Sequence, residues 1–312
     1  MTMTRVAAID CGTNSIRLLI ADVDGSGQMV EHDRRMTVVR LGEGVDANRR
    51  FSEAALQRTF EACEKYAAVI AAHEVEKIRF VATSASRDVS NRDEFAEGVR
   101  ARLNCELDVI SGDEEAELSF LGATSGLDHD ALGPFLVLDI GGGSTEFVFG
   151  THAPEFARSV NVGCVRMTER HLSEDPPSEE AIALATADID QAIALAAEVV
   201  PITNAKTVVG LAGSVTTVAA MALGLEKYDR DAIHRSVISR EAVHTVSRKF
   251  LGMTRSARAE LPYMHPGRVD VIAAGALVLD RIMHHVPNGS LFISEHDILD
   301  GIAIKLAGLT RS

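Results

Sequence analysis

The sequence predicts an α/β protein of two domains, each a mixed sheet with flanking helices. Its 312 residues are long for one compact core and comfortable for two domains of ordinary size. A content of 46% hydrophobic and 24% charged residues lets both domains bury a core. Strands alternate with helices along the chain, which is typical of a sheet covered by helices. One strand–turn–strand segment also occurs twice, as VAAIDCGTNSIRLLIADV (6–23) and FLVLDIGGGSTEFVFG (135–150).

The predicted elements follow the order β-β-β-α-β-α-β-α in both halves. After the strand that ends at Asp10, the first half has strands near 16–23, 28–40, 77–83 and 107–110, and helices near 53–73, near 91–103 and from about 112. After the strand that ends at Asp139, the second half has strands near 145–150, 155–162, 206–212 and 290–294, and helices near 178–199, after 212 and from about 297. The predicted domains are residues 1–123 and 124–312, and the last helix, about 298–312, is expected to pack back on the first domain.

The composition excludes several classes of protein. Asp and Glu number 45 against 31 Lys and Arg, a net charge of −14, so we expect no nucleic-acid partner. No apolar segment approaches membrane-spanning length, and MTMTR runs into a strand without room for a signal peptide. The four cysteines show no CxxC pairing, which favours unpaired thiols in a reducing cytoplasm. We therefore expect a cytoplasmic protein that neutralises any anionic ligand locally, through arginines, a metal ion and backbone N–H groups.

The two Gly-rich turns differ from the usual nucleotide loops. A dinucleotide turn leads into a helix and a phosphate loop continues with GK[ST], whereas here a second strand follows and each turn closes a β-hairpin. Without Cβ atoms, such turns let backbone N–H groups converge on phosphate oxygens. Glycine used only for positive φ in a tight hairpin is the alternative, but two equivalent turns favour phosphate binding. The predicted contacts are Gly12, Thr13, Asn14 and Ser15 in the first turn and Gly141, Gly142, Gly143, Ser144 and Thr145 in the second.

Acidic residues next to both turns predict a metal ion. A carboxylate beside a phosphate is repelled unless a cation lies between them, and Mg²⁺ accepts one or two carboxylates together with waters and phosphate oxygens. Asp10, Asp139 and Glu146 are the candidate ligands, directly or through water. The alternative for either aspartate is a hydrogen bond to the amides of its own turn.

Five motifs, in this order and spacing, resemble the exopolyphosphatase/guanosine pentaphosphate phosphohydrolase (Ppx/GppA) family. They are DCGTNS, TSASRD, ISGDEEAELSFLG, DIGGGSTE and NVGCVRMTER, and the match runs from about residue 5 to the end. The resemblance implies two ribonuclease-H-like (actin-like ATPase) domains around a central cleft, as in the actin-like sugar kinases and chaperone ATPases. It also implies hydrolysis of a terminal phosphate from inorganic polyphosphate or guanosine pentaphosphate, and a homodimer.

The candidate general base is Glu115, in ISGDEEAEL. Ser111 is a predicted N-cap with Glu114 three residues later, so a capping box accounts for Glu114, while Glu115 has only a weak helix-dipole preference. The catalytic glutamate of the family matches Glu115 as well. When the two copies of the repeat are aligned, Glu146 occupies the position of Arg17. Glu146 is a second catalytic candidate, and it either forms an ion pair or orients water or Mg²⁺.

Arginines and small residues complete the predicted substrate site. Arg87, in TSASRD, can bind a phosphate through its planar guanidinium, and an ordinary loop arginine is the alternative. Arg17 and Arg166 are candidates by the same argument. The resemblance implies substrate contact for Arg268, and an exposed arginine at a helix start is the alternative there. Gly213 and Ser214, at a strand–helix turn, either meet a later phosphate or serve close helix–sheet packing. Cys11 is expected to be a buried residue and not a nucleophile, since nearby carboxylates would raise the pKa of its thiol.

The function predicted from these residues is Mg²⁺-dependent exopolyphosphatase activity, with a preference for short chains. That preference is expected because the chain ends with the second domain and because its net charge is −14. Guanosine pentaphosphate is the alternative substrate. A kinase or ATPase of the same superfamily, and a non-catalytic sensor of polyphosphate or alarmone, are the further alternatives.

Overall fold

The structure, a computed structural model, describes residues 3–25, 27–87, 89–125, 127 and 132–308. The chain divides into two compact units. Unit 1 is Met1–Ser125 together with Ile298–Ser312, and unit 2 is the continuous stretch Gly126–Asp297.

Unit 1 contains a five-stranded mixed sheet. Its strands are β1 (Thr4–Cys11), β2 (Ser15–Val23), β3 (Met29–Val38), β4 (Lys77–Ala82) and β5 (Leu107–Val109). The order across the sheet is β3-β2-β1-β4-β5. The first three strands form an antiparallel meander, and β4 and β5 continue parallel to β1. Because β1 is central and covered on both faces, its middle residues, 6–9, form a continuous apolar run that is fully buried.

Helices cover both faces of the first sheet. They are α1 (Val45–Asn48), α2 (Glu53–Ala71), α3 (Ser84–Arg87), α4 (Arg92–Leu103) and α5 (Gly112–Ser125). Ser52 caps α2, and its hydroxyl accepts a hydrogen bond from the Ala55 N–H at 3.2 Å. α2 and α4 pack on one face of the sheet, and α5 packs on the other.

Unit 2 contains a six-stranded mixed sheet. Its strands are β6 (Phe135–Ile140), β7 (Thr145–Gly150), β8 (Pro154–Val160), β9 (Thr207–Leu211), β10 (Val237–Ser239) and β11 (Ser290–Ile293). The order is β10-β11-β9-β6-β7-β8, again with an antiparallel meander followed by parallel strands. Read from β8, this order repeats that of unit 1 and adds the short antiparallel strand β10 at one edge.

The helices of unit 2 surround a single large apolar core. They are α6 (Cys164–Arg170), α7 (Glu179–Ala197), α8 (Ala212–Ala222), α9 (Arg230–Ile233), α10 (Arg240–Gly252), α11 (Arg255–Ala259) and α12 (Ile272–Met283). No helix among the described residues is both long enough and apolar enough to cross a membrane.

The last helix, α13 (Ile298–Leu306), belongs to unit 1 and packs against α5. Gly301 makes this contact close, because a Cβ there would overlap the backbone carbonyl of Leu118. Asp300 is fully buried and accepts hydrogen bonds from both terminal nitrogens of Arg34, at 2.6 and 3.3 Å. The predicted helix extends to residue 312, but residues 309–312 lie outside the described part of the chain.

The predicted fold class, two mixed sheets with flanking helices, is confirmed. The long elements begin and end close to their predicted limits. The sequence does not predict β10 or the short helices α1, α3 and α6, because segments of three to seven residues carry too little periodicity to be recognised.

Candidate active site

The two hairpin turns have the same backbone hydrogen bond. The N–H of Gly12 donates to the Ser15 carbonyl at 3.0 Å, and the N–H of Gly141 donates to the Ser144 carbonyl at 3.0 Å. Neither Gly12 nor Gly141 has positive φ, so a left-handed backbone does not explain glycine at these two positions. A Cβ at Gly141 would lie only 3.2 Å from the Ser144 carbonyl oxygen, which makes glycine favourable for close turn packing.

The loop Gly141–Gly143, named here the glycine loop, is held by the beginning of α6. The N–H of Cys164 donates to the Gly141 carbonyl, and the next two N–H groups donate to the Gly142 carbonyl, at 2.9–3.1 Å. The Nε of Arg166 donates to the Gly143 carbonyl at 2.7 Å. All three carbonyls of the loop are therefore turned toward α6.

This arrangement determines where the amides of the glycine loop point. In a trans peptide group the C=O and N–H bonds point in opposite directions, so the N–H groups of Gly142, Gly143 and Ser144 are turned away from α6. None of these three N–H groups donates to another group in the part of the chain that the structure describes. Amides turned the same way and lacking an acceptor can bind an anion such as phosphate.

The first turn is anchored in a comparable way. The Thr13 carbonyl accepts from the N–H of Gly42 at 2.8 Å, and the Asn14 carbonyl accepts from the N–H groups of Val39 and Arg40. The hydroxyls of Thr13 and Ser84 lie 3.0 Å apart, which links the turn to the start of α3. Both hairpin turns are thus fixed through their carbonyl groups.

The hydroxyl of Thr145 differs from its predicted role as a phosphate donor. Thr145 is fully buried and donates its hydroxyl to the Val162 carbonyl at 2.5 Å. Because a hydroxyl has one proton to donate, that donor is already used within unit 2. Thr145 therefore helps to hold β7 against the segment that leads into α6.

The acidic residues of the two hairpins have different partners. Asp10 and Arg17 are opposite each other on β1 and β2, and the guanidinium donates to Asp10 Oδ2 at 2.6 and 3.0 Å. Arg17, predicted to bind phosphate, and Asp10, predicted to bind metal, thus contact one another. This ion pair supplies the first hairpin with its own cation.

In unit 2 the equivalent positions hold two carboxylates. Asp139 and Glu146 are opposite each other on β6 and β7, so their side chains share one face of the sheet. Only 7% of Asp139 and 1% of Glu146 is exposed, and Glu146 also accepts the hydroxyl of Ser159 at 2.7 Å. Within the described ranges, no three His, Cys, Asp or Glu side chains form a metal cluster. The donor set suits Mg²⁺, which takes one or two carboxylates and completes its shell with water and substrate oxygens.

Glu115 lies in the first turn of α5 and contacts another predicted site residue. Arg87 Nη1 is 2.9 Å from Glu115 Oε2, and 8% of Glu115 is exposed. The same nitrogen donates to the Ile110 carbonyl at 3.4 Å. The Nε and Nη2 atoms of Arg87 have no hydrogen-bond partner among the described residues.

Glu114 has the structural role that the sequence predicts, with a different partner for its side chain. Its N–H donates to the Ser111 hydroxyl at 3.1 Å, which is half of the predicted capping box. Its carboxylate accepts a hydrogen bond from Arg79 at 2.8 Å and lies 3.7 Å from Lys305. The Glu114 carboxylate is therefore balanced by two cationic side chains within unit 1.

Arg268 and Gly213 lie together at the start of α8. A Cβ at residue 213 would overlap the Arg268 guanidinium, whose Nη1 donates to the Thr217 hydroxyl at 3.0 Å. Ser214 is buried against Gly275 of α12, where a Cβ would overlap its hydroxyl. This contact agrees with the close-packing alternative for Ser214.

Tyr228 and Glu295 are not predicted as site residues from the sequence. The Tyr228 hydroxyl is within hydrogen-bond distance of Thr216 on α8, at 2.8 Å, and of Glu295, at 2.6 Å. Burial raises the pKa of Tyr228 to about 12 and also raises the pKa of Glu295. Gly163 and Ser159, which support the glycine loop and Glu146, were missed as well. Of these four residues, only Gly163 lies in one of the five motifs quoted from the sequence, NVGCVRMTER.

Cys11 has the properties of a core residue. It is buried in the sheet of unit 1, and burial raises the pKa of its thiol well above the usual value. A thiol in this state supplies little nucleophilic thiolate. All four cysteines are free.

Comparisons with known proteins confirm the resemblance drawn from the motifs. A model of the Ppx/GppA phosphatase family matches residues 19–308. The chain is 47% identical, over 99% of its length, to Exopolyphosphatase 2 of Mycobacterium tuberculosis, all of which is covered. It is similar to the crystal structure of an exopolyphosphatase-like protein, with a TM-score of 0.94, 45% identity and 98% coverage of both chains. The Aquifex aeolicus member of the Ppx/GppA family gives a TM-score of 0.82, with 27% identity and 97% coverage of both chains. The chain therefore belongs to the Ppx/GppA phosphatase family.

Proposed function

We propose that this chain is an exopolyphosphatase that releases the terminal phosphate of inorganic polyphosphate in a Mg²⁺-dependent reaction. The observation that carries the proposal is the glycine loop, since the three N–H groups that point away from α6 have no acceptor in the described chain. The relative from Mycobacterium tuberculosis, 47% identical, is named an exopolyphosphatase, which supports the same substrate class.

In this proposal the glycine loop binds the terminal phosphate. The N–H groups of Gly142, Gly143 and Ser144 donate to its oxygens and stabilise the charge that develops in the transition state. The first turn, Gly12–Ser15, contacts the substrate in the same manner, and Arg268 with Gly213 contacts a later phosphate. Arg17 balances the charge of Asp10, and Arg166 supports the glycine loop from behind.

Glu115 acts as the general base that takes the proton of the attacking water. Arg87 assists it, because Nη1 holds the carboxylate while Nε and Nη2 are left for phosphate oxygens. A planar guanidinium can serve two acceptors in this way. One residue would then keep the base and the scissile phosphate at a constant separation, which is the geometric requirement for in-line attack.

Asp139 and Glu146 are the residues that would hold Mg²⁺. When bound, the ion would neutralise the phosphate oxygens and lower the repulsion between substrate and carboxylates. Asp10, the third predicted ligand, is paired with Arg17 through Oδ2 and would contact the ion directly or through water. Ser159 orients Glu146, since its hydroxyl donates to that carboxylate.

The substrate experiment is a phosphate-release assay. Purified protein is offered short polyphosphate, long polyphosphate, guanosine pentaphosphate and ATP, each with Mg²⁺ and with EDTA. We expect Mg²⁺-dependent release from polyphosphate and faster turnover of short chains, because a net charge of −14 opposes a long polyanion. Preference for guanosine pentaphosphate would replace the proposal with its alternative. ATP consumption that needs an added acceptor would indicate a kinase, and tight binding without release would indicate a sensor.

Two further properties belong to the proposal. Four free cysteines agree with a cytoplasmic location, where thiols stay reduced. A homodimer follows from the family resemblance alone, and sedimentation equilibrium of the purified chain tests it.

A further inference from the structure

The support behind the glycine loop involves a buried charge. Arg166 is 8% exposed, and its Nε lies 2.7 Å from the Gly143 carbonyl oxygen. The other face of the same peptide group carries the N–H of Ser144, one of the three amides that lack an acceptor. The charge of Arg166 and the anion-binding side of the loop therefore lie on opposite sides of one peptide unit.

We propose that Arg166 is a positioning residue that acts on the substrate through the Gly143–Ser144 peptide group. The inference rests on the proposed function of the glycine loop. The guanidinium donates a charge-assisted hydrogen bond to the Gly143 carbonyl, and this bond polarises the peptide group. The N–H on the other side of the same group then becomes a stronger donor. Arg166 thus fixes the direction of the Ser144 N–H and strengthens it. The sequence had predicted a direct contact with phosphate.

Gly163 is the second part of this support. A Cβ at residue 163 would lie 2.5 Å from the Gly142 oxygen and 2.7 Å from the Gly143 nitrogen. These are backbone atoms of the glycine loop, and they cannot rotate away as the end of a side chain can. Only glycine lets the start of α6 approach closely enough for its N–H groups and Arg166 to hold the loop carbonyls.

Three substitutions at Arg166 separate charge from hydrogen bonding. Arg166→Lys keeps a cationic donor, Arg166→Gln keeps a neutral donor, and Arg166→Met keeps neither. Arg170→Gln, on the same helix, is the matched control, because Arg170 pairs with Asp188 at 3.3 Å and is 33% exposed. We expect kcat/KM for polyphosphate to fall in the order Lys, Gln, Met, by about 10²-fold for Met, the lower end of the loss seen when an oxyanion donor is removed. The control should match the wild type.

Amide hydrogen exchange of the glycine loop gives a readout that does not depend on activity. The N–H groups of Gly141, Cys164, Val165 and Arg166 are hydrogen-bonded within the loop and its support. Exchange in peptides that cover residues 141–144 and 164–166 should therefore be faster in Arg166→Met and in Gly163→Ala than in the wild type, and near wild type in Arg166→Lys. Thermal unfolding identifies any variant that fails to fold. Gly163→Ala keeps the Arg166 side chain but separates it from the loop, and it provides the second comparison if the Met variant does not fold.

Two results would overturn the inference. One is wild-type exchange and wild-type kcat/KM in both Arg166→Met and Gly163→Ala. The other is lost activity in every Arg166 variant with unchanged loop exchange, which would make Arg166 a direct phosphate ligand. If the wild type releases no phosphate from any substrate, the proposed function fails, but the exchange measurements still decide the role of Arg166.

Discussion

Nη1 of Arg87 donates a hydrogen bond to the Glu115 carboxylate at 2.9 Å, while Nε and Nη2 of Arg87 have no hydrogen-bond partner among the described residues. The two side chains come from α3 and α5, which follow the neighbouring parallel strands β4 and β5. The guanidinium that holds the base therefore still has two nitrogens that can donate hydrogen bonds to acceptors on a substrate. Phosphate oxygens are such acceptors.

Replacing Glu115 by Gln should abolish most of the turnover. The amide cannot take the proton of the attacking water, so we expect kcat to fall roughly 10²–10⁴-fold with little change in thermal unfolding. Glu114→Gln is the matched control, because that side chain pairs with Arg79 and Lys305. Steady-state phosphate release measures both variants. Wild-type turnover by Glu115→Gln would remove Glu115 from the mechanism.

Arg87→Lys should affect rate more than folding. Lysine keeps the charge but not the planar fork, so it cannot hold Glu115 and a phosphate in fixed relation. We expect kcat to fall about 10²-fold, the effect of misplacing a catalytic group by about 1 Å. Arg87→Gln should lower kcat further and raise KM. The idea of a bridging guanidinium fails if Lys supports wild-type kcat and KM.

Glu146→Gln should weaken activation by Mg²⁺. One of two opposed carboxylates is lost, and we expect the Mg²⁺ concentration for half-maximal activity to rise by about 10-fold or more. Ser159→Ala removes the hydrogen bond to Glu146, and a loss of about 10–100-fold in metal affinity is typical for such supporting residues. Glu155→Gln is the control, because Glu155 is exposed and lies on β8, the strand that carries Ser159. Unaltered Mg²⁺ titrations in the first two variants would place the ion elsewhere.

Gly301→Ala should destabilise the packing of α13 on α5. The added Cβ would overlap the Leu118 carbonyl, so the helices must separate, at a cost of about 1–3 kcal/mol. Because α5 also carries Glu115, kcat should fall as well. Gly252→Ala is the control, since nothing lies within 4 Å of its Cβ position. Urea denaturation and phosphate release report the two effects. Equal stability of the two variants would contradict the close contact.

Asp22 should make unfolding sensitive to acid. Arg5 donates to its carboxylate at 2.7 and 3.0 Å, and this interaction lowers the pKa of Asp22 from 3.8 to about 2. A lowered pKa in the folded state stabilises the protein above pH 4, and the contribution disappears as the pH falls toward 2. Asp22→Asn should therefore cost about 1–2 kcal/mol at pH 7, allowing for solvent screening, and little near pH 2. Urea denaturation across this range, with exposed Glu97→Gln as control, measures the difference. A cost independent of pH would show that the carboxylate charge is not involved.

The repeat and the long elements could be predicted because their signals are local. Asp10 and Asp139 end apolar strands, and the small residues after them force a turn, so both hairpins could be recognised from the sequence. Their register follows from the turn length, which places Arg17 and Glu146 at equivalent positions.

Contacts between elements could not be predicted in this way. Nothing near Arg87 in the sequence indicates that it meets Glu115, because the contact depends on how α3 and α5 follow their strands. The internal hydrogen bond of Thr145 was missed for the same reason: its acceptor, the carbonyl of Val162, lies beyond β8. Side-chain chemistry identifies candidates, and tertiary packing decides which donors remain for a ligand.

The position of α13 has a consequence for how the chain folds during synthesis. The face of the first sheet that includes Val6, Ala8 and Leu19 is covered by Ile298 and Ile302, residues that the ribosome delivers only after the whole of unit 2. Unit 2 is continuous and can complete its core at once. The unit that is made first is therefore finished last, and its uncovered apolar face is where we expect a chaperone to bind the nascent chain.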